Sequence, residues 1–128
     1  MSPIARNYLE KAQDDLDEGR KILAIGLQRI AARCAYFAAF HAAEALIDAR
    51  LEKTVKTHSG VHSEFARAVK DRSENAAPLV ACLGRAYGYK QVSDYVIGEH
   101  SDMSRKEADA ALEEATRFVD QIAAWLNE

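Results

Sequence analysis

The chain has 128 residues, 48% of them hydrophobic and 29% charged, and a net charge of −3. That length fits one domain with a core of its own, so 1–128 is read as a single unit. The acidic balance argues against a broad nucleic-acid binder, which needs a basic face, and leaves room for a local basic cleft.

Alanine and long polar residues dominate while β-branched residues are sparse, which favours helix over strand. The first helix opens at Ser2 and Pro3, a capping residue and a proline in the tolerated first position. Ile4, Tyr8, Ala12, Leu16, Ile22 and Leu23 form its apolar stripe, and Gly26 marks its end. A second helix is expected over about 27–52, apolar on nearly every side and carrying eight alanines between Ile30 and Ile47, so it should be the buried centre.

Residues 53–60 are polar, end in glycine and read as a loop, followed by a short helix over 61–70 with Val61, Phe65 and Val69 four apart. Pro78 is expected to start a fourth helix that carries Leu79, Leu83, Ala86 and Tyr87 and ends near Tyr95. Ser104 and Glu107 fit a capping box for the last helix, with Ala108, Leu112, Ala115, Val119, Ile122 and Leu126 as its buried stripe. The fold class expected is all-α, an up-and-down bundle of about five helices.

Cys34 and Cys82 show no metal-type pairing and read as thiols of a reducing compartment. The N-terminal stretch lacks signal-peptide character, and no apolar run reads as long enough to cross a membrane. A cytoplasmic location without membrane association is expected.

The central helix carries the most informative pattern. Arg33, Phe37, His41, Glu44 and Asp48 fall within about 80° of one another at 100° per residue. Such groups in an apolar helix must be paired, hydrated or turned towards a cleft or partner. An internal Arg–Glu pair with a hydrogen-bonded histidine is the structural alternative to a ligand-facing groove. His58 and His62 stand four apart, but with Gly60 between them, His58 read into the loop and no third ligand, no metal or other cofactor is expected. Ser59 is the candidate helix cap, and Ser59 and Gly60 together a candidate anion site. Tyr87, Tyr89 and Tyr95 surround Lys90 and Asp94, which are spaced for an exposed ion pair; the rings suit either base stacking or helix packing.

Taken together, these stretches resemble the HEPN family. The resemblance rests on Arg33, Tyr36, Phe37, Phe40 and His41 in an alanine-rich helix, on Lys56 to Gly60 followed by Val61 and Phe65, and on Lys90 to Tyr95. It implies a helical bundle, commonly dimeric, that works beside a small nucleotidyltransferase in toxin–antitoxin or defence pairs. Catalytic members are metal-independent ribonucleases with an Arg, four to six residues, then a His. Here Arg33 and His41 have seven residues between them, Lys90 stands where the fourth helix would carry arginine, and Asp94 or Tyr95 where it would carry histidine. Lysine lacks the two-pronged phosphate grip of arginine, and neither carboxylate nor phenol replaces imidazole near neutral pH. The resemblance therefore implies a non-catalytic module that binds a nucleotide or RNA, or docks on a nucleotidyltransferase. Arg33 would meet phosphate, His41 and Lys90 would assist, Tyr36, Phe37 and Tyr95 would form walls, and Glu44 and Asp94 would complete the site. Two other readings are a ribonuclease using Arg33 and His41, and a structural homodimer with the polar stripe as its specificity device.

Overall fold

A computed structural model describes residues 1–72, 76–95 and 103–128, with Tyr95 described in its backbone only. Among the described residues there are five helices and no strand: α1 Pro3–Ala24, α2 Gln28–Leu51, α3 His58–Ala68, α4 Ala76–Tyr95 and α5 Arg105–Leu126. The all-α helical bundle read from the sequence is what forms.

Local chemistry sets most of the ends. Ser2 Oγ accepts the Ala5 N–H at 3.0 Å, and its own hydroxyl donates to Asp48 Oδ2 at 2.7 Å, so the cap of α1 is also a tie to α2. Gly26, at φ +86°, turns the chain where a side chain would be strained. Ser104 and Glu107 form the expected capping box, with the Glu107 N–H 3.0 Å from Ser104 Oγ and the Ser104 N–H 3.4 Å from Glu107 Oε1.

Two expected boundaries move. Thr57, in extended conformation, caps α3 by accepting the Gly60 N–H at 3.0 Å, so the cap is Thr57 rather than Ser59. His58 is consequently the first residue of the helix instead of a loop residue, and His58 and His62 share one helical register. Gly60 does not end the loop; a Cβ there would lie 2.5 Å from Val55 Cγ1 and 2.7 Å from Thr57 Oγ1, so glycine lets this turn pack tightly. Pro78 is the third residue of α4 rather than its start, still within the first turn, where a missing N–H costs nothing.

The core is built around α2, which packs against all four other helices. Eleven of its 24 residues are buried and eight of those are alanine, which allows close helix approach. Contrary to the expectation that no run is long enough for a membrane, α2 has the length and apolarity of a span; here most of it is covered by protein as the core helix. α5 covers one side with Phe118, Val119 and Ile122, and the Phe118 ring lies 5.2 Å from that of Phe65 in α3. By contrast, α1 and α4 make no substantial contact with each other among the described residues. The face of α2 between them is left partly open.

Leu46 is fully buried in this core, so Leu46→Ala should lower the unfolding free energy by about 2–5 kcal/mol through lost burial and a residual cavity. Urea denaturation should also show Ser104→Ala costing roughly 1 kcal/mol, the usual value of a helix cap.

Candidate functional site

The open face of α2 carries the polar stripe, and its members find partners on different helices. At one end Arg33 Nε donates to Asp94 Oδ1 on α4 at 3.0 Å, and Lys90 Nζ lies 2.5 Å from Asp94 Oδ2. The Arg33 guanidinium also sits 4.9 Å from the centre of the Phe37 ring, a cation–π distance. At the other end His41 Nδ1 is 2.6 Å from Asp15 Oδ2 on α1, while its Nε2 is 3.9 Å from Glu44 Oε1. Glu44 accepts the Tyr8 hydroxyl of α1, and Asp48 accepts Ser2. The internal Arg33–Glu44 pair considered as a structural alternative does not form. Each end of the stripe instead bonds outward, to α4 at Arg33 and to α1 at His41, Glu44 and Asp48.

Two of these pairings differ from the expected ones in burial. Lys90 is 7% exposed while Asp94 stands at the surface, so their ion pair, shared with Arg33, is covered at the lysine end rather than exposed throughout as four-residue spacing suggested. Tyr36 is 0% exposed and cannot offer a ring face as a wall of the cleft. Its hydroxyl lies instead 2.8 Å from His58 Nδ1 and 3.2 Å from His62 Nε2.

Phe37 joins the two ends. Its ring lies 6.1 Å from His41 and 6.2 Å from His58, and Phe40 lies 5.8 Å and 4.8 Å from the same two imidazoles. The arrangement is a pair of half-buried aromatic rings flanked by two histidines, with a half-exposed arginine at one end and carboxylates at the other. It could hold a phosphate at the Arg33–Lys90 end and hydroxyl or amino donors near Glu44.

Burial sets the proton chemistry of this face. It pushes the Tyr36 phenol far up, helped by the nearby Tyr87 and Glu44. It raises the Glu44 carboxyl, with His41 and the Tyr8 hydroxyl opposing. It lowers His58, with the Lys90 ammonium adding to the effect and Asp94 opposing it, and it lowers His62, with His58 adding. The hydrogen bond from Lys90 is the main cause that holds the Asp94 carboxyl below its ordinary range.

Of the candidate residues, Arg33, Phe37, His41, Glu44, Lys90 and Asp94 belong to this face or its α4 border. The Tyr95 side chain lies outside the described residues. Ser59 and Gly60 lie in the first turn of α3, and the Gly60 N–H is already used by Thr57. Four further residues belong to the face: His58 and His62, weighed from the sequence only as a metal pair, Tyr87, weighed as a stacking or packing ring, and Asp15, which the sequence reading passed over. Of these, Asp15 is the charged residue that interrupts the buried side of α1, next to Leu16, and that interruption was the available signal. A cleft of about 620 Å³ lies elsewhere, between the chain ends at Ser2, Asp48, Arg72, Trp125 and Glu128. It is crossed by an Arg72–Glu128 pair at 2.7 Å, with Arg72 stacked on Trp125.

The lowered histidines fix the sign of a pH effect. Between the unfolded value near 6.5 and the lower folded values, the unfolded chain binds protons that the folded chain does not. Their contribution is full above about pH 6.5 and is lost as pH falls below it. Glu44, raised by folding, acts in the opposite sense, so the comparison with a variant isolates the histidines. The melting temperature of the wild type should fall more steeply between about pH 7 and pH 5.5 than that of His62→Gln.

Comparison with known proteins adds family and relatives. A protein of Methanocaldococcus jannaschii named "Putative toxin MJ0142" is 25% identical over 118 residues, which make up 92% of this chain and 78% of that protein. A second from the same organism, named "Putative toxin MJ0605", is 28% identical over 122 residues, 94% of this chain and 87% of that one. The family described as HEPN domain matches residues 5–125, nearly the whole sequence and all five helices. The chain belongs to the HEPN domain family.

Proposed function

We propose that this chain is a toxin-type HEPN module that binds the phosphate of a nucleotide or an RNA end on the open face of α2, without cleaving it. The observation that carries this is the Arg33–Asp94–Lys90 cluster. Two cations share a single carboxylate, and the arginine is stacked on Phe37 with its side chain 47% exposed. A phosphate can meet Arg33 there without first displacing a buried bond network, and Arg33 supplies a planar, preorganised fork. Arg33 and Lys90 bring two cationic groups to one spot on a chain whose whole charge is −3. The names of the two relatives support the toxin-type role. A cytoplasmic setting, a homodimer and a small nucleotidyltransferase partner complete the proposal, and they rest on family membership.

A metal-independent endoribonuclease is the second reading, favoured by one observation. Two imidazoles, His41 and His58, flank the same pair of aromatic rings. One could accept the proton of an attacking ribose hydroxyl and the other supply one to the leaving oxygen, while Arg33 stabilises charge on phosphorus.

Incubation with mixed RNA, with and without chelator, separates the two. The binding module leaves RNA intact, whereas cleavage that survives chelator and disappears in both His41→Ala and His58→Ala establishes the nuclease. For the binding module, ATP or a 5′-phosphorylated oligoribonucleotide should raise the melting temperature. Arg33→Ala should weaken that binding about tenfold or more, roughly 1.4 kcal/mol.

A further inference from the structure

Beside the phosphate-binding end lies a hydrogen-bond chain that phosphate binding by Arg33 and Lys90 leaves unused. The Tyr36 hydroxyl touches His58 Nδ1 at 2.8 Å and His62 Nε2 at 3.2 Å, and Tyr36 is wholly buried. A phenol has one proton, so it donates to one imidazole and must accept an N–H from the other. Two arrangements satisfy all three groups. In the first, His62 donates to Tyr36 and Tyr36 donates to His58 Nδ1, which places the His58 proton on Nε2. In the second, His58 Nδ1–H donates to Tyr36 and Tyr36 donates to His62, which leaves His58 Nε2 as an acceptor.

One extra proton fits this chain and a second does not. Added at Nε2 in the second arrangement, it makes His58 a cation whose Nδ1–H still meets Tyr36, while the Tyr36 proton still meets a neutral His62. With both imidazoles charged, the phenol proton would lie between two donors in a buried site and lose its acceptor. The ring geometry of histidine puts Nε2 on the side away from Tyr36. Among the described residues, the groups around His58 come from three helices: Tyr36 with the Phe37 and Phe40 rings on α2, His62 on α3, and Tyr87, Lys90 and Asp94 on α4. Of the two charged ones, Lys90 opposes a proton on His58 and Asp94 favours it. A phosphate beside Lys90 would tip that balance.

We propose that His58 is an anion-binding residue of this site, taking up one proton through the His58–Tyr36–His62 chain when a nucleotide or RNA phosphate binds beside Arg33 and Lys90. The inference rests on the phosphate-binding reading above and adds to it a third cationic contact whose charge appears only with the ligand. His58, from the start of α3, thereby takes the place that the sequence suggested for His41, which is engaged by Asp15 on the α1 side.

The test uses a fluorescent 5′-phosphorylated hexaribonucleotide, with ATP and the 5′-hydroxyl oligonucleotide as parallel arms that distinguish a terminal phosphate, a free nucleotide and the RNA backbone. Affinity is measured between about pH 6 and pH 8 for the wild type, His58→Gln and His41→Gln. The titration of the phosphate itself is common to all three proteins and cancels in their ratio. Wild-type affinity relative to His58→Gln should fall by up to about tenfold per pH unit across the range in which the free imidazole has lost its proton and the bound one still holds it, and should level off once the bound imidazole loses it as well. Calorimetry in two buffers of different ionisation enthalpy should give an uptake approaching one proton for the wild type and for His41→Gln, and none for His58→Gln. Should His58→Gln fail to fold, long-range proton–nitrogen spectra of the wild type read the same event, with His58 neutral alone and doubly protonated with the oligonucleotide. Binding that is equally pH-dependent in His58→Gln, or proton uptake lost only in His41→Gln, overturns the inference and leaves phosphate binding intact. No binding to any of the three probes overturns the phosphate-binding reading, and this inference with it.

Discussion

The constraint on which the rest of the structure depends is the burial of α2. A helix whose covered residues are largely alanine contributes little side-chain volume of its own, so its neighbours must come close, and every polar group on it must find a partner there. The partners come from three directions. Ser2, Tyr8 and Asp15 answer Asp48, Glu44 and His41 from α1; His58 and His62 answer Tyr36 from α3; and Asp94 answers Arg33 from α4. Apolar packing against alanine tolerates small slips along a helix, whereas a 2.6 Å contact between His41 and Asp15 does not. The same bonds that set helix register therefore assemble the site.

This explains what the sequence made legible and what it did not. Helical periodicity and capping chemistry are local, so the Ser2–Pro3 start, the Gly26 stop and the Ser104–Glu107 box could be read directly, as could the central position of α2. The polar stripe was equally visible, because five residues at helical spacing share a face whatever surrounds them. Which partners they take is a matter of tertiary contact. The pattern on α2 alone suggested an internal Arg33–Glu44 pair, while the actual partners lie 61 and 26 residues away in the chain for Arg33 and His41.

The boundary at α3 shows how a small local error can hide a tertiary contact. Thr57, Ser59 and Gly60 all carry loop and cap signals, and choosing Ser59 places His58 outside the helix. With Thr57 as the cap, His58 and His62 stand one turn apart and both reach the same phenol. Two histidines with a glycine between them resemble a failed metal pair in sequence. In the fold they are two ends of one hydrogen-bond chain. A single hydroxyl, Tyr36 Oη, made the difference, and it belongs to another helix.

Lysine at position 90 is also better understood from its surroundings than from its type. As a substitute for arginine on an exposed helix it would be a loss, because an ammonium offers phosphate no fork. Here it is almost wholly covered and bonded to Asp94, while the fork is supplied from α2 by Arg33, which reaches the same carboxylate. The two functions of one arginine are thus divided: Lys90 contributes fixed charge from within the bundle, and Arg33 contributes directed donors at its surface. That division sets a covered ammonium and an exposed guanidinium side by side between α2 and α4, with the ammonium near enough to the start of α3 to act on His58.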